Sequence, residues 1–221
     1  MYKHTSKLIG SDPGVARALQ LGKVQNLRVA IAELDGIVIA PGEQFSFCRL
    51  VGRPTRERGF VDGIELVRGV PRPGVGGGLC QAANMIHWLV LHSELTVVER
   101  HGHGFDPFPD NGRVLPFGSG ATIFYNYLDY RFSNETPASF QLRLWLADNQ
   151  LHGELRASSA PRLAYRVYDR GGRFVREHDR WYREKEMWRQ ARVRDTTGTV
   201  LGDTLLYRHR AEVKYAVTLQ P

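Results

Sequence analysis

Apolar residues recur along this chain at two spacings, and the spacing changes near residue 134. In residues 23–34, Val24, Leu27, Ala30, Ile31 and Leu34 share one stripe, which predicts a helix stopped by Gly36. A second stripe of Leu79, Ala82, Ala83, Ile86, Leu89 and Val90 predicts a helix from Cys80 toward His92. Short β-like pieces surround the two: Ile37-Val38-Ile39, Phe45-Ser46-Phe47, Phe60-Val61, and residues 64–67, 95–100, 121–125 and 128–132. Pro41-Gly42 marks a turn. Beyond Ser133-Asn134-Glu135-Thr136-Pro137 the alternation is of period two, in residues 140–145, 154–157 and 163–168. Asp148-Asn149-Gln150 and Arg170-Gly171-Gly172-Arg173 read as the turns between those strands. Residues 1–22, broken by Ser11-Asp12-Pro13-Gly14, read as a loosely packed arm.

The pattern predicts an α+β fold. A Cys-bearing helix packs on a mostly antiparallel sheet in a mixed core, and a β-rich C-terminal extension follows. The expected boundaries are an arm at 1–22, a core domain at 23–135 and the extension at 136–221.

Composition narrows the function classes. The chain has 221 residues, 42% hydrophobic and 24% charged, as soluble globular proteins do. No apolar run nears the roughly 20 residues of a membrane helix. The N-terminus has charge without the apolar stretch of a signal peptide, so the expected location is cytoplasmic. Cys48 and Cys80 are the two cysteines. They exclude a disulfide framework and a zinc ribbon, and leave a single Cys48–Cys80 bridge open. The net charge of +7 favours anionic partners. Its excess lies within residues 162–194, where arginines alternate with apolar residues as on a half-exposed sheet face. An anionic polymer fits that surface. No nucleic-acid module is present, so specific nucleic-acid binding is not expected.

Candidate chemistry centres on Gly76-Gly77-Gly78-Leu79-Cys80-Gln81. Three glycines in a row suit a backbone that turns sharply or approaches a neighbour closely. Unpaired N–H groups and the helix dipole at a first turn favour thiolate at Cys80, and the loop N–H groups of Gly76 to Leu79 suit an oxyanion or ligand. The competing reading is a small buried hydrophobe behind a tight turn. A thiolate enzyme needs a base within hydrogen-bond reach. His87 lies about 10 Å along the helix, and His92 farther, at about 1.5 Å rise per residue. His101 and His103 fit better, because a strand returning beside the helix brings its end to the helix start. His101, His103, Asp106 and Cys80 also suit a metal hydrolase, though no second compact ligand pair accompanies them. No cofactor motif is present.

These residues resemble the VanW family. The resemblance rests on Val24-Gln25-Asn26-Leu27, Pro41-Gly42-Glu43-Gln44-Phe45-Ser46-Phe47, the glycine–cysteine stretch through Gln81, Arg100-His101-Gly102-His103, Ala121-Thr122, Asp129 and Asn134. It covers roughly residues 20–135. It implies a link to glycopeptide (vancomycin) resistance or envelope maintenance, with a peptide or cell-envelope substrate. In the family pattern His103 is the matching histidine and His101 is secondary. Two positions depart from it: Gly120 stands where Asp is typical, and Cys48 where an aromatic or Asn is expected. Family members often begin upstream of this start, so a short version of the chain is expected. The order Cys80, His103, Asp129 is that of transglutaminase-like and papain-like thiol enzymes. By that analogy the catalytic set is Cys80, His103 and Asp129, with His101, Asp106 and Gln81 secondary. The reaction would be acyl transfer or amide hydrolysis. The alternative is a non-catalytic envelope or glycopeptide-stress binding protein.

Overall fold

The computed structural model describes residues 2–9, 16–107, 109–110, 114–195 and 198–217. Among these, 47% lie in strands and 19% in helices, and the strands form several antiparallel sheets. The fold is therefore mainly β, not the α+β fold with a mixed core that the apolar stripes suggest. The physical reason lies in the outward faces. Long strands with charged outer faces carry few apolar residues, so a reading weighted by apolar periodicity undercounts them.

The first sheet holds β1 (Tyr2–Lys7), β2 (Val38–Ile39), β9 (Phe140–Ala147) and β10 (Gln150–Ala157), in the antiparallel order β1-β10-β9-β2. Residues 2–7, expected in a loose arm, are thus a strand, and the sheet joins segments from both sides of residue 136. The Ser11–Gly14 break lies outside the described residues.

Helices α1 (Arg17–Leu34) and α3 (Cys80–Leu91) pack beside this sheet. The core there includes Leu27, Leu34, Ile86, Leu89, Leu142, Leu144 and Leu151, all buried. Each such side chain contributes about 1.5–3 kcal/mol when removed from water. At Gly153 of β10 a Cβ would stand 2.7 Å from the Met85 side chain, so the glycine lets α3 lie close on the sheet. The helix α1 begins at Arg17, before the expected start at residue 23.

A small sheet orders β3 (Gln44–Ser46), β8 (Arg131–Ser133) and β6 (Thr96–Glu99) as β3-β8-β6. Helix α2 (Phe47–Val51) follows β3, and β4 (Asp62–Val67) with β5 (Val70–Val75) forms a separate hairpin.

The last sheet holds β11 (Leu163–Glu177), β12 (Arg180–Val193) and β13 (Val200–Val213), with β7 (Phe105–Asp106) parallel to β13. The Arg170–Arg173 stretch, read above as a turn, is a bulge inside β11, where Gly171 takes a φ of 64°. The chain reverses later, at His178-Asp179, between β11 and β12. The proline-rich loop after β7 lies partly outside the described residues, at 108 and 111–113.

Candidate functional site

Asn26, fully buried on α1, sets the glycine loop. Its Nδ2 donates to Gly77 O at 2.9 Å and Val61 O at 3.0 Å, and its Oδ1 accepts from Val61 N at 2.8 Å. Gly76 and Gly78 adopt φ of 80° and 93°, where a side chain is strained. Gly77 packs on β4 so closely that its Cβ would stand 2.5 Å from the carbonyl carbon of Gly63. The loop therefore presses against the hairpin and delivers Cys80 as the first residue of α3.

The helix start leaves few N–H groups for the Cys80 sulfur. Its donors are already engaged: Gln81 N on Gly78 O at 3.0 Å, Ala82 N and Ala83 N on Leu79 O at 3.0 and 3.3 Å. The thiol itself donates to Ile123 O at 3.8 Å. The residue is partly accessible, yet burial around the sulfur pushes the thiol pKa up, and the Glu65 carboxylate adds to the rise. Burial thus works against the thiolate expected at this helix start.

His103 shares a cleft with Cys80. The cleft encloses about 990 Å³ and is also lined by Lys23, Cys48, Glu65, Gln81, Asn84 and Thr122. His103 Nδ1 lies 2.9 Å from Thr122 Oγ1, which fixes the ring. Asn84, one turn after Cys80, accepts from Ala121 N at 2.6 Å. A Cβ on Gly120 would stand 2.9 Å from Asn84 Oδ1 and 3.0 Å from the His103 ring, so Gly120 lets both approach.

The other candidates are placed elsewhere. Asp129 accepts from Ser46 Oγ at 2.5 Å and from the N–H groups of Cys48 and Tyr130, both at 2.8 Å. It thus holds the start of α2 and makes no hydrogen bond to His103. His101 Nε2 sits 2.9 Å from Glu99 Oε1, and its carbonyl accepts from Thr122 N. Asp106 is buried in an ion pair with Arg183 at 3.2 Å and accepts from Tyr215 Oη at 2.9 Å. Gln81 Nε2 donates to Ser6 Oγ and Lys7 O, tying β1 to the helix start. Among the described residues no group of three His, Cys, Asp or Glu side chains could hold a metal ion. The proposed ligands are dispersed instead.

Several lining residues had no clear signal in the sequence. Lys23 lays its stem along Gly78, and burial lowers its pKa. Cys48 donates to Leu128 O at 3.5 Å, and burial with the nearby Asp129 pushes it up to about 12. Both cysteines are free thiols, so the bridge left open above is not formed. A tight hairpin pairs Phe124 with Leu128, turning through Asn126 at φ 68°. It holds Phe124, Tyr125 and Tyr127 exposed at the rim, Tyr127 at 75%. Leu66 and Val75 of the β4–β5 hairpin stand exposed among the other lining residues. Phe-Tyr-Asn-Tyr was the available cue, since Asn suits a left-handed turn position.

A family model described as VanW like protein matches residues 22–156. The chain belongs to the VanW family. It is 30% identical over 215 residues to Vancomycin B-type resistance protein VanW of Enterococcus faecalis, covering 97% of this chain and 78% of that protein. It is 32% identical over 110 residues to the uncharacterized protein YoaR of Bacillus subtilis, covering 50% of this chain and 35% of that one. No solved structure matches the chain. In this VanW-family chain several residues that carried the resemblance are backbone staples. Asn26 and Asp129 act as described, and buried Asn134 donates to Ile39 O and Ala138 O. No helix among the described residues is long and apolar enough to cross a membrane.

Proposed function

We propose that the cleft binds a peptide of the cell envelope, in the setting of glycopeptide resistance that the name of the Enterococcus relative carries. One observation carries this reading. An apolar cleft with an exposed aromatic hairpin at its rim converges on a few polar groups, Cys80, Asn84, His103 and Lys23. Such a layout suits a ligand with an apolar or stacking face and an amide backbone to orient. Titration with N-acetylated envelope-type peptides tests it. Saturable binding should weaken about tenfold in Tyr127→Ser with Phe124→Ser, in line with the worth of aromatic contacts. Binding indifferent to both changes would reject the cleft as the site.

A second reading, thiol-dependent acyl transfer or amide hydrolysis, is favoured by Cys80 and His103 lining one cleft with the imidazole fixed by Thr122. In that reaction His103 takes the Cys80 proton and the sulfur attacks the peptide carbonyl. The amine leaves with that proton and a thioester remains. Water or a second amine then resolves the thioester and returns the proton to sulfur. Because burial raises the thiol pKa, the proton transfer to His103 is coupled to ligand binding in this reading. Intact-mass detection of an acylated Cys80 tests this reading. Its absence in protein saturated with peptide leaves the binding role alone.

A further inference from the structure

A second cavity, about 810 Å³, lies on the other side of His103. His87 and Leu91 of α3, residues 100–104 after β6, Arg189 of β12 and residues 206–210 of β13 line it. Its charge is lopsided. Arg208 and Arg210 have acids on their own sheet, Glu186 for the first and Glu177 and Glu184 for the second. Arg100 and Arg189 do not.

Arg100 donates through Nε and Nη2 to the carbonyls of Gly118 and Gly120, and its guanidinium lies 3.9 Å from the centre of the Tyr207 ring. Its Nη1 makes no hydrogen bond among the described residues. Arg189 donates to Ser93 O at 3.3 Å and stacks at 4.5 Å on Tyr165. No carboxylate among the described residues lies within ion-pair distance of either. Glu94, the acid among the lining residues, pairs with neither.

Carbonyls and ring faces solvate a guanidinium but do not neutralise it, and a charge withdrawn from water without a counter-charge is costly. The planar fork of Arg is matched by the two oxygens of a carboxylate or phosphate. Burial also keeps His87 neutral between Tyr130 Oη and Tyr207 Oη, so the wall beneath the arginines is fixed.

We propose that this cavity is a subsite for a small oxyanion, a carboxylate or a phosphate, held by Arg100 and Arg189. His103 and Leu128 line both this cavity and the cleft. The oxyanion is therefore the charged end of the ligand whose body lies in the cleft. This last connection rests on the peptide-binding reading, whereas the oxyanion subsite itself does not.

Calorimetric titration with inorganic phosphate, acetate, N-acetyl-Ala-Ala and its C-terminal amide, at constant ionic strength against chloride, tests the proposal. At least one oxyanion should bind saturably and lose about tenfold or more in affinity in Arg189→Gln and Arg100→Gln, the size expected for one charge-assisted contact. Arg173→Gln, on the exposed face of β11 and lining neither cavity, should bind it unchanged. Arg189 has a single long hydrogen bond to protein, so Arg189→Gln reads the site even if Arg100→Gln does not fold. Phosphate alone binding identifies a phosphate end. Acetate and the free acid binding, with the amide weaker, identify a carboxylate end. Oxyanion binding no stronger than chloride, or unchanged in Arg189→Gln, overturns the subsite. Amide bound in the cleft without any oxyanion effect would remove the subsite and keep the cleft, and the converse result would do the reverse.

Discussion

The cleft and the C-terminal sheet are held by different chemistry. Around the cleft, amide and carboxylate side chains staple backbone: buried Asn26 the glycine loop, buried Asn134 the chain after β8, and half-buried Asp129 the start of α2. In β11–β13, guanidiniums take that role. Arg183 is buried against Asp106 and also bonds Asp110, while Arg173 and Arg208 meet Glu184 and Glu186 at the surface. Buried amide bonds are insensitive to salt, and leaving their partners unmade is costly. Exposed ion pairs are weak and screened, and a buried pair is costly mainly when one member is removed. The cleft is thus built for a fixed backbone shape, and the sheet for a charged surface laced with ion pairs, in which Arg189 has no carboxylate partner among the described residues.

Arg183→Met should give the largest effect, because it removes a buried guanidinium that pairs with the buried Asp106 carboxylate. A loss of about 3–5 kcal/mol is expected in denaturant unfolding, largely recovered when Asp106→Leu is added. A loss below about 1 kcal/mol would mean that the sheet is not anchored by this pair. Next, Asn26→Ala removes three hydrogen bonds, stranding Gly77 O and Val61 N while Val61 O keeps Gly76 N, and should cost about 3 kcal/mol. That cost should be the same in low and high salt. If it shrinks with salt, the contrast between the two regions fails.

Acid sharpens the comparison. His87 is buried and its pKa is held well below the ordinary value, by desolvation first and by Arg100 second. The unfolded chain therefore binds the proton first, so stability falls as pH drops through about 6.5 toward the folded value, by up to about 1.4 kcal/mol per pH unit. His87→Gln should flatten that slope between pH 6.5 and 5, and an unchanged slope would place the acid sensitivity elsewhere. The smallest effect belongs to the surface. Arg173→Ala should cost about 0.5 kcal/mol and less in salt, and a loss above about 2 kcal/mol would contradict a screened pair.

The sequence disclosed some of this and hid the rest for physical reasons. The helix at Cys80 and the Gly76–Gly78 loop were legible, because apolar spacing and glycine runs are local signals. The β-rich character of the C-terminal part was legible too, but the length of β11 and β12 was not, since Arg and Glu cover their outer faces and Gly171-Gly172 imitates a turn while forming a bulge. Tyr2–Lys7 gave no strand signal because its partner, β10, lies almost 150 residues away. At the site, Cys80 and His103 were nameable by type, but whether a thiol is charged depends on burial and acceptors. Ile123 O and the apolar wall are tertiary facts. Asp129 looked catalytic because its order along the chain suited a triad. In the fold it accepts from Ser46 Oγ, Cys48 N and Tyr130 N, contacts that order along the chain does not reveal.

Cys80 is a buried thiol of raised pKa in the cleft proposed above as the peptide site. Cys48→Ser, which keeps a donor toward Leu128 O, leaves Cys80 as the single thiol, and its alkylation rate can then be followed from pH 6 to 10 with and without saturating peptide. The account predicts a slow rate at neutral pH that is still climbing above the ordinary thiol value of about 8.5, and protection by the peptide. A rapid rate that levels off below about pH 7.5, unaffected by peptide, would contradict it: the thiol would then be an activated thiolate outside the binding cleft.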